Sequence, residues 1–179
     1  MLFRSPTWSP EAEWVVAADN ETAQDAMVDA AASLGVRLAR IEAIVNGEAR
    51  EAGERLVQVA AQLLRDDPTL DGIVTGGETT VLVKGEGRGG RNGELVCGAA
   101  SHLGEHLILS LASDGADGTS DSAGALLDSE GVRLATALGG PLEVALSEND
   151  TARWLRSGGL LLKTGATGTN VADVQLVLR

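Results

Sequence analysis

The amino-acid sequence predicts a single α/β domain on a mixed, mostly parallel sheet with helices on both faces. Three observations lead there. Apolar runs of strand length alternate with helical periodicity over residues 14–75, in a βαβαβ order with short connections. Strands end repeatedly in loops rich in Gly, Thr, Asp and Asn, the place where open α/β sheets bind ligands. Hydrophobic residues make up 44% of the 179-residue chain but aromatics only 2%, so a core of Ala, Val, Leu and Ile is expected. The layering is Rossmann-like.

The elements follow in order. Residues 14–18 (Trp14, Val15, Val16, Ala17, Ala18) read as a first strand. Asp19 and Asn20 supply a turn and an N-cap for a helix over 21–34, and Gly35 suits the position just past its end. A strand over 36–45, a turn at Asn46-Gly47, a helix over 48–65 stopped by Pro68, and a strand over 72–75 complete the βαβαβ unit. Parallel strands with right-handed crossovers are the expected result. Residues 79–84 read as a further strand. Too few residues precede it for a crossover, so an antiparallel hairpin or a bent continuation is predicted. Then come a helix over 92–103, a strand over 106–112 and a loop over 113–121. A helix in pieces over 122–138, broken near Gly131, precedes short helices at 141–146 and 149–156. A strand over 159–163, a loop over 164–170 and a closing strand over 174–178 end the chain. Residues 1–12, with Phe3, Trp8 and two prolines, read as an irregular lead-in.

The net charge of −12 argues against nonspecific binding to nucleic acid or to an anionic membrane surface. One cysteine, Cys97, excludes an intrachain disulfide and fits a reducing, cytoplasmic setting. No apolar run has the roughly 20 residues of a membrane span. Of the 14 Lys and Arg residues only two are lysines, Lys84 and Lys163, each ending an apolar run before a glycine-rich turn.

Three loops carry candidate chemistry. The first, Gly85-Glu86-Gly87-Arg88-Gly89-Gly90, follows Lys84 and opens onto Arg91 and Asn92 at a helix start. Glycines let backbone N–H groups approach a ligand, and cations supply charge, so this is a candidate phosphate or carboxylate site. It also matches G-x-G-x-x-G, with Asp114 at the end of the next strand where a ribose-binding acid would stand. The plainer reading is a glycine-rich turn. Arg91 is the sharpest candidate, able to clamp an oxyanion bidentately; its structural alternative is an ion pair with Glu78 or Glu94. In the second loop, Asp114, Asp117 and Asp121 suit Mg²⁺ or a base taking a hydroxyl proton, or else turns and a helix cap. The third, residues 163–170, offers Lys163, Thr167 and Asn170 for phosphate but lacks the Walker A spacing. Gly104 between His102 and His106 disfavours a metal pair there, and Cys97 reads as helix core.

Together the loops are more specific than apart. Gly77-Glu78-Thr79-Thr80-Val81, then Gly85-x-Gly87-x-Gly89-Gly90-Arg91-Asn92-x-Glu94, then Asp114-Gly115-x-Asp117-Gly118-x-x-Asp121, then Thr164-Gly165-x-Thr167-Gly168-Thr169-Asn170-Val171-x-Asp173 resemble the MOFRL domain. That domain is the C-terminal part of a type of glycerate 2-kinase once described as hydroxypyruvate reductase. The resemblance covers residues 71–179, with 13–70 similar to the βαβα segment that precedes the domain. It implies phosphorylation of D-glycerate to 2-phosphoglycerate with ATP and Mg²⁺ in a cleft between two α/β domains. It further implies that Arg91 and Asp117 are the family's key arginine and acid, with Asp117 a candidate Mg²⁺ ligand. Lys84, Gly85, Gly87, Gly89, Gly90, Asn92, Thr167 and Asn170 are the candidate substrate- or phosphate-binding set, and Glu78 and Asp114 would orient it. Two departures stand out. Gly93 replaces the usual Gln, and the large N-terminal domain with a catalytic Lys is absent, as in a fragment or one half of a split enzyme. A truncated gene product is the third reading, and for a split enzyme the candidate partner is an N-terminal kinase domain on another chain. Two rival readings are a non-enzymatic module binding a small anion, and a nicotinamide-dependent hydroxypyruvate reductase.

Overall fold

The computed structural model describes residues 15–42 and 45–179, so the lead-in and Trp14 lie outside the described residues. Helix α1 (Asn20–Ser33) starts at the expected cap. The Asp19 carboxylate accepts the Thr22 N–H at 2.9 Å and the Thr22 hydroxyl accepts the Asp19 N–H at 3.3 Å, closing a capping box. It ends in a Schellman turn, Gly35 N–H to Ala32 O and Val36 N–H to Ala31 O. Gly35 sits at φ +76°, left-handed backbone that favours glycine.

Strand β1 (Leu38–Arg40), helix α2 (Ala49–Asp66) and strand β2 (Gly72–Gly77) form the predicted parallel βαβ unit. Helix α3 (Arg91–Ala99) runs on into a 3₁₀ turn (Ala100–His102) and leads to β3 (Leu107–Ala112). The second half holds β4 (Gly124–Leu127), α4 (Ser129–Gly139), α5 (Leu142–Ser147), α6 (Thr151–Ser157), β5 (Leu161–Leu162) and β6 (Asp173–Leu178). The sheet order is β1-β2-β6-β3-β4-β5.

The domain is α/β with a mixed sheet, as predicted, but the balance of directions is not. Only β1–β2 pairs parallel among these neighbours; β2–β6, β6–β3, β3–β4 and β4–β5 are antiparallel. The cause is the closing strand. β6 returns from the far end of the chain and inserts between β2 and β3, which would otherwise be adjacent parallel strands. Helices do cover both faces of β2. Ile73 joins the core with α2 and α3, while one strand pleat away a Cβ on Gly76 would strike the Asn20 and Gln24 side chains of α1.

Three local expectations change. Gly124–Leu127 form β4 rather than helix, since the small apolar run lies flat against β3; a Cβ on Gly124 would come within 2.0 Å of Ser110 O. Gly131 does not break a helix but lies in the first turn of α4, its N–H donating to the carboxylate of the N-cap Asp128 at 2.6 Å. Residues 79–84 are a bent continuation, not a strand. Thr80 bridges Glu48 in parallel, after which the chain is drawn toward residues 148–150 and finds no ladder. Val15 to Ala18 form no strand and are exposed.

The main core is aliphatic, as the composition requires, with Leu56, Leu64, Ile73, Leu95, Leu103, Ile108, Leu127 and Val177 around one indole, Trp154. The Trp154 Nε1–H donates to Gly140 O at 2.9 Å, so the ring is buried with its polar atom satisfied. Cys97 lies in this core, and burial pushes its thiol well above the ordinary value. Helices α2 and α3 cross in backbone contact. A Cβ on Gly53 would sit 1.9 Å from Leu95 O, and one on Gly98 2.3 Å from Arg50 O. Gly53→Ala should therefore force the helices apart and cost about 2 kcal/mol, at the middle of the overpacking range. Urea denaturation measures this; an unchanged midpoint would show that the crossing relaxes freely.

Register then positions the site. Gly77, Asp173 and Ala112 stand side by side on β2, β6 and β3. The loops that follow β2 and β3 and the loop that precedes β6 therefore emerge at the same end of these three strands.

Candidate functional site

Arg91 is the first residue of α3, with Gly90 as its N-cap. Its Nε donates to Asp173 Oδ2 at 2.5 Å and its Nη2 to Asp173 Oδ1 at 2.7 Å, a bidentate pair. Glu78 Oε1 lies 3.4 Å from Nη2, the ion pair anticipated as one alternative. Glu94 is not a partner of Arg91. Asp173 is 1% exposed, whereas the Arg91 side chain keeps 24% of its surface. Hydrogen bonding to Asp173 raises the Arg91 guanidinium above its ordinary value. Burial pushes the Asp173 carboxyl up, opposed by Arg91. Asp173 is the largest omission from the predicted site, although it closes the fourth motif of the family resemblance and heads an apolar strand.

Arg91 faces a cleft of about 470 Å³ together with Gly87, Gly89, Gly90, Thr119 and Asn149. Thr79, Thr80, Val81 and Val83 form its other side. The glycine loop is not an open cradle of amides. Asn149 Oδ1 accepts from the Lys84 N–H at 2.7 Å and the Gly85 N–H at 3.0 Å. The Gly87 N–H reaches Glu148 O at 2.8 Å and the Gly89 N–H reaches Thr119 Oγ1 at 3.3 Å. The loop is rich in glycine because it threads against its own protein: Cβ atoms on Gly85 and Gly87 would lie 2.4 Å from Glu148 and Asp150 atoms. Thirteen residues also separate β2 from α3, so G-x-G-x-x-G lacks the tight strand-to-helix turn of a dinucleotide fingerprint.

Asn149, another residue the sequence reading missed, holds this loop from left-handed backbone at φ 52°. Its Nδ2 donates to Glu94 Oε1 at 3.0 Å, and buried Glu94 is paired through Oε2 with Arg50 Nε at 2.5 Å. Arg50 also donates to Leu146 O. The chain Arg50–Glu94–Asn149 thus ties α2, α3 and the glycine loop together.

Asp117 lies behind Gly90, 1% exposed and outside the cleft lining. Its Oδ1 accepts the Asn92 N–H at 2.9 Å and the Asn92 side chain at 3.3 Å, and its Oδ2 accepts the Gly93 N–H at 2.9 Å. It caps α3 from another loop. Burial pushes its carboxyl up, against the pull of those amides. Both of its oxygens are engaged by N–H donors, and among the described residues no group of three or more His, Cys, Asp or Glu is placed to hold a metal. Asn92 also turns inward, accepting from Ser110 Oγ at 2.5 Å.

The third loop joins the second rather than the Arg91 cleft. Thr167 Oγ1 donates to Ser113 O at 2.6 Å, and Asn170 Nδ2 to Asp114 Oδ2 at 3.3 Å. Asp114 Oδ1 takes the Ala116 N–H at 2.9 Å, which makes it a turn residue. The Lys84 side chain is exposed and outside the cleft lining. Asp121 accepts from Lys163 Nζ at 2.6 Å and from Arg156. Those two cations hold its carboxyl down at about 2. A carboxylate depressed below its ordinary 3.8 keeps its pairing as pH falls through 3.8 and loses it near 2. Carbon-detected NMR should find Asp121 titrating near that value and, in Lys163→Ala, higher; a midpoint near 4 in the wild type would refute the pairing.

Fold and cleft define a mixed α/β domain with a buttressed arginine at the N-terminus of a helix, facing a cleft at the loop-bearing end of its strands. The chain belongs to the MOFRL family, whose model matches residues 72–173. It is 41% identical over 133 residues to D-glycerate 2-kinase of Thermotoga maritima, covering 71% of this chain and 32% of that protein. It is 33% identical over 167 residues to glycerate 2-kinase of Pyrococcus horikoshii, covering 90% and 38%. The chain thus spans about a third of the length of these curated relatives. The crystal structure of the Thermotoga maritima glycerate kinase superposes with a TM-score of 0.82 at 34% identity, over 89% of this chain and 40% of that one. No described helix is long and apolar enough to cross a membrane.

Proposed function

We propose that this chain forms the Arg91 wall of a glycerate 2-kinase site, in which the terminal phosphoryl group of ATP passes to D-glycerate to give 2-phosphoglycerate. The observation that carries the reading is Arg91 itself: a guanidinium fixed by a buried carboxylate at a helix start, facing a cleft. The names of the relatives supply the substrate. Asp173 takes Nε and Nη2, which leaves the Nη1 edge for the glycerate carboxylate or the transferring phosphoryl group. Phosphoryl transfer depends on positioning and charge neutralisation, and a pre-oriented guanidinium provides both. Asp117 acts through α3, holding Gly90 and Arg91 in place, rather than on the substrate. The remaining wall, with its catalytic lysine, is assigned to the N-terminal domain of such a kinase. Val81 and Val83 on the cleft rim, the latter exposed, suit such a partner.

The test combines this chain with a separately produced N-terminal domain of a relative, ATP, Mg²⁺ and D-glycerate, and follows ADP and 2-phosphoglycerate. Turnover is expected from the mixture, none from this chain alone, and at least a hundredfold less with Arg91→Ala. A complex that forms but gives no product, or that turns over equally with Arg91→Ala, removes the proposal.

A further inference from the structure

Arg88 stands on the other side of the glycine loop from Arg91. Its backbone is held at both ends, the N–H donating to Asp150 Oδ1 at 3.2 Å and the carbonyl accepting from the Ala152 N–H at 3.0 Å. Gly87 and Gly89 line the Arg91 cleft, while Arg88 between them lines a second cleft of about 340 Å³ with Thr119, Ser120, Asp121 and Arg156. The loop is therefore a wall between two clefts with a cation on each side. Among the described residues no carboxylate pairs with the Arg88 guanidinium, whereas Arg156 and Lys163 share the single carboxylate of Asp121. Of the charged residues that line this cleft, Arg88 and Arg156 stand against Asp121 alone, a surplus of one positive charge in a chain of net charge −12. Asp150, which takes the Arg88 N–H, is paired with Arg153 at 2.5 Å.

We propose that this second cleft is a phosphate-binding site, separate from the Arg91 cleft, with Arg88 as its principal donor. A guanidinium with no carboxylate partner is the donor that matches phosphate oxygens, and the surplus charge raises the local anion concentration. The phosphate group comes either from a nucleotide tail or from free phosphate. The inference goes beyond the kinase reading and does not need it.

The experiment is calorimetric titration of the purified chain with inorganic phosphate, tripolyphosphate and ATP at low salt. Saturable binding is expected, weakened about tenfold by Arg88→Ala, further by Arg88→Glu, and restored largely by Arg88→Lys. Arg91→Ala should leave the Arg88-dependent binding in place. Tighter binding of tripolyphosphate and ATP identifies a nucleotide tail; tighter inorganic phosphate identifies the free ion. Arg88 is exposed, so these variants should fold, and circular dichroism checks that. Absence of binding to all three probes overturns the proposal, as does binding unchanged in folded Arg88→Glu. Complete loss of binding in Arg91→Ala overturns it too, by assigning the ligand to the other cleft. None of these outcomes bears on turnover with the N-terminal domain, so the two proposals fail separately.

Discussion

Asp173→Ala is expected to destabilise the domain by about 3 kcal/mol, the lower end of the range for removing one partner of a buried ion pair. The lower end applies because Arg91 keeps 24% of its surface and a second carboxylate, Glu78, at 3.4 Å. The melting temperature should fall by roughly 10 °C for a domain of this size. Asp173→Asn keeps the shape and one acceptor but turns its amide toward the guanidinium, so it should fall between the wild type and Asp173→Ala. The functional effect should exceed the structural one. At temperatures where each variant remains folded, Arg91 loses its fixed orientation and turnover in the reconstituted mixture drops, mostly in kcat. Calorimetric melting with steady-state kinetics measures both. A melting temperature within 2 °C of the wild type would show that Arg91 is held by something else.

Asp117→Ala should be comparably severe. It strands the buried Asn92 and Gly93 N–H groups and takes one acceptor from the Asn92 side-chain amide, at about 1–3 kcal/mol for each unsatisfied group. With partial relaxation the sum is about 4 kcal/mol. Asp117→Asn retains one acceptor and places an amide against an amide, so about 2 kcal/mol is expected. The pH dependence has a definite sign. Burial raises this carboxyl above its ordinary 3.8, so between that value and the native one the folded state binds more protons than the unfolded state. Its contribution to stability therefore falls as pH rises through that window, and Asp117→Asn should abolish that component. Denaturant melts across the acidic range measure it. If Asp117→Asn keeps full stability yet abolishes turnover, Asp117 acts on the substrate and the capping role is insufficient.

Features written in local chemistry were legible before the fold was known. The Asp19 cap, the Gly35 turn, the βαβ unit and the three loops all depend on residues close in sequence, whose propensities act over one or two turns of chain. Arg91 was legible for the same reason, as the cation at a loop-to-helix junction. The glycines were read as a sign of close approach to a ligand; the fold brings residues 148–151 and Asp117 against them. That distinction needs the distance between segments some sixty residues apart. β4 was missed because a short apolar run carries no periodicity to separate strand from helix.

What the sequence alone determined is a mixed α/β domain of the MOFRL family, its aliphatic core, and an arginine placed where a helix begins. Only the tertiary structure decided what holds that arginine. Asp173 meets Arg91 because β6 inserts antiparallel between β2 and β3, which brings its first residue beside Gly77 and Ala112. Asp117 and Asn149 likewise take their roles from contacts across the chain. Strand insertion and ion-pair choice are set by packing and burial summed over the whole domain, and no stretch of neighbouring residues carries that information.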